Sequence, residues 1–252
     1  MIETRESGVR WITINRAGKH NALSRGVLEQ IAHAVTDVAD DPLIRSIVLR
    51  GAGERFYAAG GDLVELSAVR DEAATMAMTD QARGALDAIR DCPIPVIAFL
   101  NGDAIGGGAE LAVACDMRLQ LESARIGYIQ AKLAITSAWG GGPDLCQLVG
   151  ASRAMRMMAR AELIDAQTAL AWGLADVVIR KASQEQDIEA FIAPILNCPA
   201  HVLRGIKAQT RAARRRIAFD DARALEQRHL IHAWLHEDHW AAAEALLSKG
   251  KK

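Results

Sequence analysis

Over residues 8–15 the run GVRWITIN alternates apolar and polar positions closely enough to predict a strand. Helical spacing takes over directly afterwards. In NALSRGVLEQIAHAVTDVAD, Val27, Leu28, Ile31, Val35 and Val38 recur three and four apart, which places them on one stripe, and Ser24 stands where an N-cap belongs. IRSIVLRG is a short β-branched run that predicts a buried strand, and it feeds a glycine-containing loop, GAGERFYAAGGD. A helix is expected over about 73–90, and Pro93 and Pro95 punctuate the entry to the strand VIAFL. A second glycine loop, NGDAIGGG, leads to a helix from about Gly107 and then to the strand MRLQLE. Beyond residue 150 the spacing is mostly helical, and only DVVI, 176–179, reads as extended. Strands alternating with helices, then helices alone, predict an α/β core with a helical C-terminal region.

Composition narrows the function classes. Of 252 residues half are apolar and 24% charged, which is globular and argues against disorder. The net charge of −1 gives no bulk electrostatic pull toward nucleic acid or an anionic membrane. No apolar run reaches the length of a membrane span, and MIETRESGVR lacks the apolar stretch of a signal peptide, so a cytoplasmic chain with no membrane partner is expected. The four cysteines, Cys92, Cys115, Cys146 and Cys198, are widely spaced and read as reduced, buried thiols instead of a disulfide framework or a zinc site. The glycines match neither the P-loop nor the dinucleotide signature.

The chemistry concentrates in NGDAIGGGAELAVACD, 101–116, where three glycines precede a glutamate at the mouth of an apolar segment. A strand, a glycine turn and a helix present free backbone N–H groups at the helix N-terminus, and those donors favour negative charge beside them. Glycine lets another molecule approach that backbone closely. AAGGD, 58–62, makes a second such loop after another buried strand. Two amides from two loops are what is needed to hold a carbonyl oxygen as it becomes an enolate. The alternative is that both loops are tight, closely packed turns, and the glycines alone do not decide between the two.

INRAGKHNALS, ERFYAAGGDL, AFLNGDAIGGGAELAVACDMRL and LIDAQTALAWGLADVV occur in that order, and together they resemble the enoyl-CoA hydratase/isomerase (crotonase) superfamily over nearly the whole chain. The resemblance implies an α/β fold of repeated ββα units over 1–190, ClpP-like, with a C-terminal helical trimerisation region over 191–252. It implies a coenzyme A thioester as substrate, no separate cofactor, and a homotrimer or dimer of trimers. It puts the thioester oxygen between the amides of Gly61 and Gly107, with Ala59 and Gly106 in the same two loops. Asp62 and Leu63 would lie along the pantetheine, His20 and Ala22 near the nucleotide end, and Glu110 beside the reacting carbons.

The hydratases of that superfamily use a second glutamate, and here its place falls on Gln130 in GYIQAKLAITSAWGGGPDL. An amide does not titrate near neutral pH and cannot serve as general acid or base. GGGAE, ACDMR and SAWGGG look more like the ethylmalonyl-CoA decarboxylase branch. There the departing CO2 generates the enolate, and no base has to remove a carbon-bound proton. Ser137, Trp139 and Gln130 would line the acyl pocket. The expectation is therefore decarboxylase-like or other single-glutamate chemistry. Its rivals are an enoyl-CoA hydratase, a lyase of fatty-acid metabolism, and a non-catalytic subunit that binds coenzyme A esters.

Other features carry less. His229, His232, His236 and His239 fall close together, with His232 and His236 one helical turn apart, yet no HExxH occurs and the chain supplies no obvious further ligand. A solvated or subunit-facing helix is expected, and no metal. RAARRR, 211–216, reads as a solvated basic face, without the interleaved aromatics of an RNA site. LLSKGKK reads as a frayed tail, with Lys249, Lys251 and Lys252 as candidate contacts to a nucleotide. Arg55 stands near the thioester loops, and Val64 occupies a position where relatives commonly carry lysine.

Overall fold

Over residues 46–127 the strands of this chain alternate between two sheets. The computed structural model describes residues 1–6, 8–38, 41 and 43–249, with the side chains of 2–6 and 246–249 outside the description. The strands are β1 (Ile2–Glu6), β2 (Val9–Ile14), β3 (Ser46–Gly51), β4 (Phe56–Ala58), β5 (Val96–Leu100), β6 (Asp103–Ile105), β7 (Met117–Leu121), β8 (Arg125–Gly127), β9 (Leu163–Asp165) and β10 (Val177–Ile179). One sheet runs β1-β2-β3-β5-β7-β10, parallel apart from β1, and the other runs β4-β6-β8-β9, parallel apart from β9. Thus β3 and β4, β5 and β6, and β7 and β8 each give one strand to each sheet, the expected repeat. The helices are α1 (Arg25–Thr36), α2 (Leu63–Leu66), α3 (Glu72–Asp91), α4 (Gly107–Ala114), α5 (Gly141–Val149), α6 (Ala151–Ala159), α7 (Ala166–Trp172), α8 (Gln184–Leu196), α9 (Ala200–Arg214), α10 (Phe219–Trp234) and α11 (Glu237–Lys249). The division drawn at residue 190 falls inside α8, whose Ile188 and Ile192 pack in a core shared with Val48, Phe99 and Leu119.

The long elements obey their sequence patterns. Ser24 caps α1 by accepting from the Val27 N–H at 3.3 Å, and Val27, Leu28, Ile31 and Val35 are buried against Ala82, Ala85, Leu86 and Ile89 of α3. Each fully buried side chain of that size contributes about 1.5–3 kcal/mol. In contrast, α4 is apolar all round and buries every residue after Gly107, which is how a helix inside a core behaves. Gly108 must be glycine there, because a Cβ would overlap the Ala58 carbonyl.

Several expectations need correction. β4, β6, β8 and β9 are three residues each, too short for any period to show, and β9 adds an extended segment beyond DVVI. The basic run is not a free solvated face. Arg215 pairs with Asp91 at 2.5 Å, and Arg214 reaches Asp144, the Ala114 carbonyl at 2.8 Å and the Val113 carbonyl at 2.5 Å. These contacts tie α9 to α3, α4 and α5. Buried Lys207 adds a 2.6 Å pair with Asp116. Cys92 and Cys115 are buried free thiols as expected, whereas Cys146 and Cys198 are half-buried. The backbone is helical through Lys249, and the expected contacts of Lys249, Lys251 and Lys252 lie outside the described side chains. Among the described residues no helix is long and apolar enough to cross a membrane.

Candidate functional site

Three neighbouring parallel strands deliver the site. β4 pairs with β6 through Ala58 and Ala104, and β6 pairs with β8 through Ile105 and Gly127. Parallel strands at about 4.8 Å spacing end on the same edge, so the loops that follow them are neighbours. Those loops hold Gly60 and Gly61, Gly106 and Gly107, and Tyr128 to Gln130. The Gly106 N–H donates to the Gly127 carbonyl at 2.8 Å. Gly60, at φ +98°, comes so close to the second loop that a Cβ would sit 3.0 Å from the Ile105 carbonyl oxygen and 3.3 Å from the Gly107 nitrogen. Gly106 has φ 57° and ψ −119°, a conformation that only glycine adopts without strain.

Topology also orients the two amides. Leu23 bridges Gly61 in parallel, with the Leu23 N–H donating to the Gly60 carbonyl at 2.8 Å and the Asp62 N–H donating to the Leu23 carbonyl at 3.1 Å. In such a bridge the central residue's own N–H faces the opposite way. Gly107 is the first residue of α4, so its N–H has no carbonyl one turn back. The two loops therefore meet, each with an amide that the secondary structure does not consume.

Glu110 is 2% exposed, in the first turn of α4. Its carboxylate accepts from the Gln130 amide at 3.0 Å, the Trp139 N–H at 2.9 Å and the Gly141 N–H at 3.1 Å. Burial holds its pKa above the ordinary carboxylate value and outweighs these donors, which pull the other way. The Gln130 oxygen is buried and has no protein partner among the described residues. Tyr128, buried with its hydroxyl pushed well above its usual pKa, stays protonated and donates to the Gly141 carbonyl at 2.8 Å.

Trp139 joins the two halves of the site. Its N–H holds Glu110, and its indole lies against both glycines, so that a Cβ on Gly107 would overlap the ring and one on Gly61 would lie 3.7 Å from it. Ser137 is half-buried beside Gly142, its Oγ 2.8 Å from where a Cβ on that glycine would stand. The Trp139 segment is braced from behind. Arg90 donates to the Trp139 carbonyl at 3.2 Å and to Asp144 at 2.9 and 3.0 Å, and Asp144 also accepts from Arg214 at 2.9 Å. Sequence reading missed this brace, since no local pattern links α3, α5 and α9.

The remaining candidates lie along one rim. His20, exposed and in the left-handed region at φ 55°, packs tilted against Phe56 with ring centroids 4.7 Å apart, and the Arg55 guanidinium lies over the same Phe56 ring, 5.2 Å from its centroid. The Ala59 N–H donates to the His20 carbonyl at 3.1 Å, and the Ala22 carbonyl accepts from Arg16 at 2.5 Å. Asp62 caps α2 and pairs with Arg16 at 2.8 Å, and that partner holds its carboxyl below the usual range. Leu63 and Val64 are exposed. Asn21, inside the KHNALS stretch but not singled out there, ties the rim together by donating to the Phe56 carbonyl at 2.7 Å and the Ala52 carbonyl at 3.0 Å.

Comparison with known proteins agrees with this geometry. The family model for enoyl-CoA hydratase/isomerase matches residues 4–251. The chain is similar to the mitochondrial methylglutaconyl-CoA hydratase of Mus musculus, 34% identical over 186 residues, 74% of this chain and 59% of that protein. The match to that hydratase thus spans little more than half its length. Ethylmalonyl-CoA decarboxylase of Rattus norvegicus is 27% identical over 253 residues, covering 99% of this chain and 83% of that one. Among solved structures, an enoyl-CoA hydratase from Bacillus anthracis superposes with a TM-score of 0.91 at 28% identity, over 98% of this chain and 96% of that one. With two glycine loops meeting at one edge and a buried glutamate behind them, the chain belongs to the enoyl-CoA hydratase/isomerase family.

Proposed function

We propose that this chain is an acyl-CoA lyase that stabilises a thioester enolate between the Gly61 and Gly107 amides and works with one carboxylate, in the manner of a decarboxylase. The observation that carries the reading is the partner of Glu110: an amide, Gln130, bonds it where a hydratase would set a second acid. A malonyl-type acyl-CoA would lose CO2 by heterolysis of the bond between Cα and the carboxylate carbon. The electron pair of that bond passes into the Cα–carbonyl bond, and charge develops on the thioester oxygen. Two preorganised donors at that oxygen are worth roughly 3–4 kcal/mol each by comparison with other enzymes. Glu110, whose raised pKa favours the protonated form, would then deliver a proton to Cα and be recharged from solvent. The unpartnered Gln130 oxygen would accept from a protonated Glu110 after a flip of the amide, which keeps the acid aimed.

The supporting roles follow the same division. Trp139 would wall the acyl pocket, with Ser137 and Gln130 beside it. The rim of His20, Phe56 and Arg55, with Ala22, Ala59, Asp62 and Leu63, would take the pantetheine and nucleotide. Leu230, Ile231, Trp234 and Leu235 on and just beyond α10 are at least half exposed, and they would be covered by a second copy in a trimer or dimer of trimers.

A second reading, hydration of a 2-enoyl-CoA, is favoured by the 34% identity to a methylglutaconyl-CoA hydratase. Here Gln130 would position the water and Glu110 alone would activate it. Parallel assays decide between them. Decarboxylation of ethylmalonyl- or methylmalonyl-CoA should exceed hydration of crotonyl-CoA and should fall about 10²–10⁴-fold in Glu110→Gln. Fast crotonyl-CoA hydration that survives Gln130→Ala and dies in Glu110→Gln would reject the decarboxylase reading.

A further inference from the structure

The histidines of the C-terminal region do not meet as their spacing suggests. His232 and His236 are one turn apart, yet their ring centroids are 6.2 Å apart, whereas His201 from the first turn of α9 stacks on His236 at 4.0 Å. Asp238, in the first turn of α11, completes the group. Its Oδ2 lies 3.4 Å from His236 Nδ1 and 3.8 Å from His201 Nδ1, and one ligand atom from each of the three side chains lies within 4.8 Å of the others. We propose that His201, His236 and Asp238 form a binding site for a divalent transition-metal ion, zinc in the first instance, that fastens α9, α10 and α11 together.

The geometry is close to what such an ion requires. Two ligand atoms each about 2.1 Å from zinc at a tetrahedral angle are about 3.4 Å apart. The His236–Asp238 separation already has that value, His201 lies 3.8 Å from the same Asp238 oxygen, and the stacked His201 and His236 rings must turn so that a nitrogen of each faces one ion. His236 Nδ1 accepts a 3.2 Å bond from the Asp238 N–H, so this nitrogen is the unprotonated one, and a metal would take the place of that bond. Imidazole nitrogens with one carboxylate suit zinc better than calcium or magnesium, which take oxygen donors. Exposed His232, its ring 5.6 Å from His201, stands near enough to offer a fourth ligand by a change of rotamer.

The location explains what the ion would do. α10 buries none of its residues, and α11 follows after a turn of two residues. These helices have little core of their own to fix their angle to α9. An ion bound only when α9 meets the turn between α10 and α11 adds its binding free energy to that docking. A plain cluster of stacked imidazoles beside an aspartate would give the same distances without binding any ion, and titration distinguishes the two.

The test is calorimetric titration of the full chain, carrying a tag without histidines, with zinc chloride. One zinc per chain is expected. The double variant His201→Gln, His236→Gln should bind at least about a hundredfold more weakly, beyond what loss of a mere supporting group costs. Asp238→Asn should weaken binding by a smaller factor, and Cys146→Ser with Cys198→Ser should leave it unchanged. Circular dichroism confirms that each variant is folded. Cobalt substitution gives a second readout: visible bands of nitrogen and oxygen ligation are expected, and intense thiolate charge transfer would place the ion at cysteine. Unchanged affinity in the histidine double variant, or no uptake at about 100 µM zinc, overturns the proposal.

Discussion

α4 and α10 are both helices, and they are held in place by opposite means. Every residue of α4 after the first is buried, whereas α10 buries none. The chain alone therefore fixes α4, because its neighbours close in from all sides at interior packing density. α10 rests on one face of α9 and keeps Leu230, Ile231 and Trp234 at least half exposed. The lesson is that a side chain that must be held in one position, as Glu110 is in the proposed reaction, is best carried by the first kind of helix. The second kind is suited to contacts that form between chains or with an ion.

Four measurements break or sharpen that contrast. The largest effect is expected at Asp144 on α5, which ties α3 to α9 behind α4 by accepting from Arg90 and Arg214. Asp144→Ala removes the carboxylate shared by two half-buried guanidinium groups, leaving Arg214 only the Val113 and Ala114 carbonyls and Arg90 the Trp139 carbonyl and Asp87, and should cost about 3 kcal/mol in urea unfolding. Gly108→Ala comes next. Its new Cβ would meet the Ala58 backbone, which has nowhere to go, and the loss should be about 3 kcal/mol with the Gly61–Gly107 meeting disturbed as well. Ile231→Asp on α10 should change the unfolding free energy of the dilute chain by no more than about 0.5 kcal/mol, while dissociating the proposed assembly in sedimentation. A loss above about 2 kcal/mol there would mean that α10 is packed as α4 is.

The smallest effects are in pH dependence, and they have opposite signs. Burial raises the folded pKa of Glu110, so the stability tied to its protonation is complete below the ordinary carboxylate range and is lost as pH rises through the folded value. Unfolding measured against pH should accordingly shift in favour of Glu110→Gln relative to wild type as pH climbs out of that range. Asp187 behaves in reverse. The Arg180 side chain lowers its pKa to about 2, so its contribution is present above the ordinary range and is lost as pH falls toward that value. In Asp187→Asn the acid limb of the stability curve should be shallower, by a small amount at so exposed a pair.

The legible parts of this protein were those whose information is local. The α1 stripe, its Ser24 cap, the β-branched β3 and the apolar β5 each carry their period or punctuation within one segment and fold as read, except that α1 ends at Thr36 and Val38 reaches the core from beyond its end. The glycines of AAGGD and GGG and the glutamate behind them were legible for a similar reason: a glycine where the backbone must bend or be approached leaves a mark that needs no partner. The superfamily resemblance added the fold and the meeting of the two loops, which no single segment contains. Three-residue strands such as β6 and β8 were invisible, because a period of two needs more residues than they have.

What the sequence determined by itself was therefore the inventory: a buried carboxylate, two turns with spare amides, and an amide side chain where an acid was expected. Only the tertiary structure decided the pairings, among them Trp139 across both glycines, Arg90 and Arg214 on one aspartate, and His201 on His236 in preference to its own helical neighbour. Each of those pairings joins segments dozens of residues apart. Their geometry is set by how the sheets stack and where the helices cross, and neither is written in the spacing along any one of them.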